Sequence, residues 1–186
     1  MANHPVYGKL PFAVINRFVM ADLKAKNLIK DKVTYQGKDY VTMIPAQQNQ
    51  GVTSATDPAY RQDAFIVYGV QNDEDMNTPW IRCESVVYAI YGPTAQTVFE
   101  IMYCIQDLTA RKDWSVADLT YFMDFQSTVD ATSPFTFTDM TFEEISGLEP
   151  TMQEDGRFAG MVSVNYEYTF NDIIGVPGAL GQGRRQ

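Results

Sequence analysis

The residue types that carry most enzyme chemistry are few in this chain. His4 is the only histidine, so Ser-His-Asp and Cys-His catalysis and histidine-based metal sites have little to draw on. Cys83 and Cys104 lack the CxxC spacing of a zinc or redox site, and we expect both to be buried, reduced thiols. The sequence therefore predicts no catalytic residue, no metal site and no cofactor.

The acidic and glycine-rich segments also lack the spacing of known sites. NDEDMN at 72–77 has neither the glycine nor the distal glutamate of an EF-hand loop. GALGQG at 178–183 has no lysine of the P-loop kind. Glu100 and Asp107 are seven residues apart and could form an acid–base pair, but a solvated helix face is the simpler interpretation.

Composition limits the function classes. The chain has 186 residues with 45% hydrophobic content, which is enough for one core. A formal charge of -9 argues against a DNA-binding surface, because such surfaces neutralise phosphates with Lys and Arg. No apolar run approaches the roughly 20 residues of a membrane span, and the start MANHPVYGKLPF lacks the pattern of a signal peptide. We expect no contact with a membrane and no secretion.

The first third of the chain is predicted to form a helix, a hairpin and a loop. Helical spacing of apolar residues predicts a helix over about Phe12 to Asn27, opened by Pro11. Alternation predicts a β-hairpin with KVTYQ and DYVTMI as its arms, the second ended by Pro45. The stretch from Ala46 to Arg61 has almost no large apolar residue, so we expect a projecting loop.

The middle of the chain is predicted to form two strands and two helices. Ala64 to Val70 and Trp80 to Gly92 are predicted antiparallel strands. Thr94 can cap a following helix that packs on a sheet. The capping-box spacing of Ser115 and Asp118 predicts another helix over about Val116 to Phe125.

The clearest strand pattern runs from Phe158 to Phe170, where large apolar residues occupy even positions. Its predicted partner is Phe135 to Ile145, where a change of apolar phase indicates a bulge near Thr138 or Asp139. The polar segment SGLEPTMQEDGR should form an exposed loop between them. The sequence thus predicts a single α+β domain over 1–170, with helices on one face of a largely antiparallel sheet, and a flexible Gly-rich arm over 171–186.

This order of segments resembles a known family. The chain is similar to tail terminator (tail completion) proteins of long-tailed bacteriophages. The similarity lies in five segments: FIVYGVQ, WIRCESVVYAIYG, the helix TAQTVFEIMYCIQDLTARKD, the turn around Asp113, Ser115 and Asp118, and the late strand GRFAGMVSVNYEYTFN. The resemblance covers roughly Phe65 to Phe170 and rests on element order rather than on a chemical motif. The loop from Ala46 to Arg61 and the Gly-rich arm depart from compact members of the family.

The resemblance implies a structural role in the virion. Members of the family form a hexameric ring that caps the tail tube, stops its polymerisation and docks to neck or head–tail connector proteins. The implied partners are other copies of the chain, the tail tube protein and the connector, with DNA only passing through the lumen. The implied location is the neck region of the tail, after assembly in the host cytoplasm.

Loop and arm residues are the candidates for these contacts. They are polar, charged or aromatic, and they lie in segments predicted to project from the core. The candidates are Gln48, Gln50, Tyr60, Arg61, Trp80, Glu149, Glu154, Arg157, Arg184 and Arg185.

Other functions fit the same sequence. Another neck or head–tail joining protein or a tail tube subunit belongs to the same setting, and a tube subunit would polymerise on its own. A small enzyme built on carboxylates such as Glu84 and Glu100 would require perturbed pKa values in a deep cleft. A ligand-binding module would require a large closed cavity.

Overall fold

A computed structural model describes residues 10–46, 60–72, 81–110, 135–144 and 149–170, and the fold of these residues is α+β. The helices are α1 (Pro11–Ala25) and α2 (Ala95–Ala110). The strands are β1 (Lys32–Tyr35), β2 (Lys38–Val41), β3 (Met43–Pro45), β4 (Phe65–Asn72), β5 (Ile81–Gly92), β6 (Phe135–Glu144), β7 (Thr151–Met152) and β8 (Phe158–Phe170). The helix predicted over Val116 to Phe125, most of the Ala46 to Arg61 loop and the 171–186 arm lie outside the described residues.

Six of these strands form one sheet in the order β3-β4-β5-β8-β6, with β7 pairing the start of β8. Every neighbouring pair is antiparallel except β3 and β4. The predicted pairing of β6 with β8 is confirmed, and so is the bulge, which falls between Phe137 and Asp139. This bulge lets both Phe137 and Met140 reach the core.

Both helices pack on one face of the sheet, as predicted. The even positions of β8 from Gly160 to Tyr168 are buried there under α2, and α1 packs on α2 and β5 in the same apolar cluster. The Thr94 hydroxyl caps α2 by accepting the Thr97 amide at 3.1 Å. None of the helices in the described ranges is long and apolar enough to cross a membrane.

The opposite face of the sheet is partly covered by the hairpin of β1 and β2. Its two-residue turn has positive φ at both Gln36 and Gly37, the geometry of tight hairpin turns. Behind it lies a second apolar cluster of Val33, Ile44, Tyr60, Phe65 and Val67.

The prediction that one hairpin arm runs from Asp39 to Ile44 is wrong. The buried Thr42 stands between β2 and β3: its amide still donates across the hairpin to the Asp31 carbonyl at 3.2 Å, and its hydroxyl hydrogen-bonds the Lys30 carbonyl. The Thr42 carbonyl instead accepts the Ile66 amide at 2.7 Å. The chain therefore leaves the hairpin here and joins the main sheet, where β3 is parallel to β4.

Gly160 allows α2 to approach β8. A Cβ atom at Gly160 would clash with the sulfur of the buried Met102 and lie 3.1 Å from Val98 Cγ1. We expect Gly160→Ala to lower the free energy of unfolding by about 1–3 kcal/mol, because the buried Met102 side chain and its neighbours have to shift. Urea denaturation measures this change.

Gly69→Ala is the matched control for Gly160→Ala. A Cβ atom there has Ala46 Cβ at 4.0 Å as its nearest contact, so its unfolding midpoint should stay close to that of the wild type. Adding Met102→Ala should cost less in the Gly160→Ala chain than in the wild type, because the new methyl group fills part of the cavity. Equal costs of Gly160→Ala and Gly69→Ala would contradict the assigned close approach.

Candidate interaction surface

Two residues predicted for contacts with other molecules are buried. Tyr60 is 2% exposed, its hydroxyl donates to the Val41 carbonyl at 2.7 Å, and its ring packs against Phe65. Arg157 is 5% exposed, with its guanidinium 5.5 Å from the centre of the Phe65 ring. The expectation that these two side chains project into solvent is wrong, because both belong to the packing under the hairpin.

The other predicted contact residues divide into two groups. Arg61, Glu149 and Glu154 are exposed, as expected. Gln48, Gln50, Trp80, Arg184 and Arg185 lie outside the described residues.

An aromatic pair on α2 is exposed instead. Phe99 and Tyr103 are 41% and 57% exposed, and their rings stack with centroids 6.3 Å apart and an interplanar angle of 14°. They lie on the side of α2 away from the buried Val98, Ile101, Met102, Ile105 and Leu108. Their i, i+4 spacing outside the core stripe is visible in the sequence and could have indicated this surface.

A polar groove lies on the six-stranded sheet, at the end farther from the hairpin of β1 and β2. Its volume is about 430 Å³, and strands β4, β5, β6 and β8 line it with Gln71, Cys83, Glu84, Ser85, Asp139, Thr141, Glu143, Asn165, Tyr166 and Glu167. No Lys or Arg is among these residues. Pockets for small molecules are mostly apolar and bury most of the ligand, so this open, acidic groove is better suited to a cationic chain segment.

Glu84 lies beside Tyr166 and Tyr168 on the helix-covered face of the sheet, on the other side of β5 and β8 from the groove. Its two carboxylate oxygens accept hydrogen bonds from the Tyr166 hydroxyl at 2.7 Å and the Tyr168 hydroxyl at 2.8 Å. Burial, followed by the negative charge of Glu84, raises the pKa of Tyr166 far above its usual range, and burial and the same hydrogen bonding raise the pKa of Tyr168. Both hydroxyls therefore stay protonated at neutral pH and act as donors to the carboxylate.

Cys104 lies in a charged cluster between α1 and α2. Its thiol donates to Asp22 Oδ2 at 3.1 Å, and Lys26 Nζ lies 3.3 Å from the sulfur and 3.0 Å from Asp22. Burial, then the carboxylate of Asp22, raise the pKa of Cys104 to about 11. A thiolate is the reactive form of cysteine, so this thiol is poorly nucleophilic. The prediction of buried, reduced cysteines is confirmed for both Cys83 and Cys104.

The carboxylates considered for acid–base chemistry have separate partners. Glu100 is exposed and accepts a hydrogen bond from Gln96 at 2.7 Å, whereas Asp107 is exposed and forms an ion pair with Lys26 at 3.4 Å. In the residues that the structure describes, no group of three or more His, Cys, Asp or Glu side chains is placed to hold a metal ion.

Sequence comparison adds no relative to this description: no protein-family model matches the chain, and no curated protein matches it.

Proposed function

We propose that this protein is a tail terminator of a long-tailed bacteriophage. It forms a ring, expected to contain six copies, that caps the tail tube, stops tube polymerisation and presents a surface to the neck or head–tail connector. The observation that supports the proposal is that the described segments resembling this family, β4, β5, α2 and β8, pack together. β4, β5 and β8 are adjacent strands, and α2 packs on β5 and β8.

The surface of these packed segments offers a contact for a neighbouring subunit. Phe99 and Tyr103 present stacked rings on the outer side of α2, next to polar residues such as Gln96 and Glu100. Aromatic residues surrounded by polar side chains are typical of interface centres. A closed ring needs two such complementary surfaces on each copy, and we assign α2 to one of them.

Termination requires one ring face to match the last ring of the tube and the other face to reject a further tube ring. The acidic composition suits such a ring, because a formal charge of -9 per chain disfavours retention of DNA that passes through the lumen. The work of the protein in this proposal is selective binding.

The direct test is assembly with tail tubes of the phage that encodes the chain, observed by negative-stain imaging and native mass spectrometry. We expect six-copy rings, bound only at tube ends, and tube growth that stops when the protein is added. Open-ended polymers of the protein alone would overturn the proposal in favour of a tube subunit. Tube ends that stay bare while growth continues would overturn it as well.

The double variant Phe99→Ser/Tyr103→Ser tests the assigned subunit contact. We expect ring formation to weaken by roughly tenfold or more, because the aromatic anchors are lost while the core stays intact. Val41→Ser is the matched control, since Val41 is 52% exposed on the hairpin, in another part of the molecule. Equal assembly of both variants and the wild type would remove α2 from the interface.

A further inference from the structure

The acidic groove contains a repulsive contact that a cation would relieve. Asp139 of β6 and Glu167 of β8 are register partners in the antiparallel ladder, so two carboxylates face each other directly. Like charges at directly opposite positions destabilise a sheet. Glu143 adds a third carboxylate on the same face of β6, two residues beyond Thr141 and four beyond Asp139.

No positive side chain in the described part of the protein offsets this charge. Lys24, Lys26, Lys30 and Lys32 form ion pairs with other aspartates, and none of these pairs involves the three groove carboxylates. Glu143 accepts only a neutral amide hydrogen bond from Asn165, at 3.3 Å. Within the residues that the structure describes, the groove is therefore a negatively charged depression on the sheet.

The chain itself supplies a cationic segment close to this groove. Residues 171–186 follow β8 directly, and Phe170 is three residues beyond Glu167, which corresponds to about 10 Å along a strand. The segment contains one acidic residue, Asp172, and carries its positive charge at Arg184 and Arg185.

The length of the segment is sufficient for this contact. Arg184 is fourteen residues beyond Phe170, so it can lie up to about 46 Å from the end of β8. The intervening residues include Gly175, Gly178, Gly181 and Gly183, which permit sharp changes of direction. The arginine pair can therefore reach the groove of its own chain or that of an adjacent copy.

We propose that the groove is the docking site for the 171–186 segment, with Arg184 and Arg185 paired to Asp139, Glu143 and Glu167. Arginine suits this role because its planar guanidinium can bind two carboxylate oxygens at once. The inference stands apart from the tail terminator proposal, since it needs only the groove and the segment that follows β8.

Disulfide trapping in the full-length chain tests the contact. Thr141 is exposed within the groove between Asp139 and Glu143, so Thr141→Cys is combined with Gln186→Cys. Cys83 lines the groove and would compete for the new thiol, so the pair is made together with Cys83→Ser, and circular dichroism checks the fold. We expect cross-linking roughly tenfold faster than for a pair held together only by the chain. Gel mobility then shows whether one chain or two are joined, and either product supports the proposal.

The matched control places the second cysteine outside the groove. Glu100→Cys with Gln186→Cys tests an exposed site on α2, on the other side of the sheet. Two charge variants should reduce trapping at Thr141→Cys to the control rate: the double variant Arg184→Glu/Arg185→Glu and the double variant Asp139→Asn/Glu143→Gln. High salt should have the same effect. Equal rates at the two sites, or a rate at Thr141→Cys that ignores these charge changes, would overturn the proposal.

Discussion

Glu84→Ala should lower the free energy of unfolding by about 4 kcal/mol. Tyr166 and Tyr168 are 1% and 4% exposed, and both hydroxyls donate to the Glu84 carboxylate. Removal of the carboxylate leaves two buried donors without their acceptor, at a cost of about 1–3 kcal/mol each. Urea denaturation followed by circular dichroism measures the loss.

Two further variants separate this cause from a general weakening of the sheet. Glu84→Gln keeps one acceptor oxygen, so its loss should be roughly half that of Glu84→Ala. Adding Tyr166→Phe and Tyr168→Phe to Glu84→Ala should recover part of the stability, because the orphaned hydroxyls are then absent. A Glu84→Ala chain within about 0.5 kcal/mol of the wild type would show that the hydroxyls find other partners.

The protein should lose stability steeply above about pH 10. The pKa of Tyr88 and the pKa of Tyr166 are both raised, in each case first by burial. In the unfolded chain these phenols lose their protons near pH 10, whereas the native state keeps them, so the unfolded state binds fewer protons. Stability is therefore fully present below pH 10 and falls above it by about 1.4 kcal/mol per pH unit for each such tyrosine. Tyr168, whose pKa is also raised first by burial, adds a third, so the three tyrosines give a slope of roughly 4 kcal/mol per pH unit, and the Cys104 thiol, whose pKa is raised to about 11, adds to the slope up to that pH.

The slope of unfolding free energy against pH, measured by urea denaturation between about pH 9 and 11.5, checks this prediction. Tyr166→Phe should reduce the slope by one proton, since that side chain no longer titrates. Tyr103→Phe is the control, because Tyr103 is 57% exposed and its hydroxyl meets water in both states. A slope that Tyr166→Phe leaves unchanged would place the titrating groups elsewhere.

Strands with one buried face could be predicted closely from the sequence. β8 was predicted to its last residue, and the β6 bulge was placed correctly, because alternation with a period of two records which face each residue occupies. The core face of α2 is equally clear from the sequence, because five apolar residues recur at helical spacing and all five are buried: Val98, Ile101, Met102, Ile105 and Leu108. In these elements, the spacing of apolar residues along the chain is enough to indicate which residues are buried.

Other features depend on contacts that local spacing does not record. The chain leaves the hairpin at Thr42 because the Thr42 carbonyl accepts the Ile66 amide of the main sheet. The burial of Tyr60 depends on the hairpin lying over it. Glu84 and Tyr166 are 82 positions apart, and only the register of β5 with β8 brings them together.

The acidic groove could not be predicted from local spacing either. Asp139 and Glu167 each have an ordinary sequence context, and the bulge in β6 sets their register. Their proximity could be predicted only after the pairing of the two strands and the exact bulge position were known.

The position of β8 also determines when the chain can fold during synthesis. β8 lies between β5 and β6, although both precede it in the sequence. A ribosome that has made residues up to 150 holds two strands whose shared neighbour does not yet exist, and the sheet closes only after Phe170 leaves the exit tunnel. Chaperone protection of the nascent β5 and β6 edges would therefore matter most in this interval, and any chain cut short before β8 is a substrate for proteases.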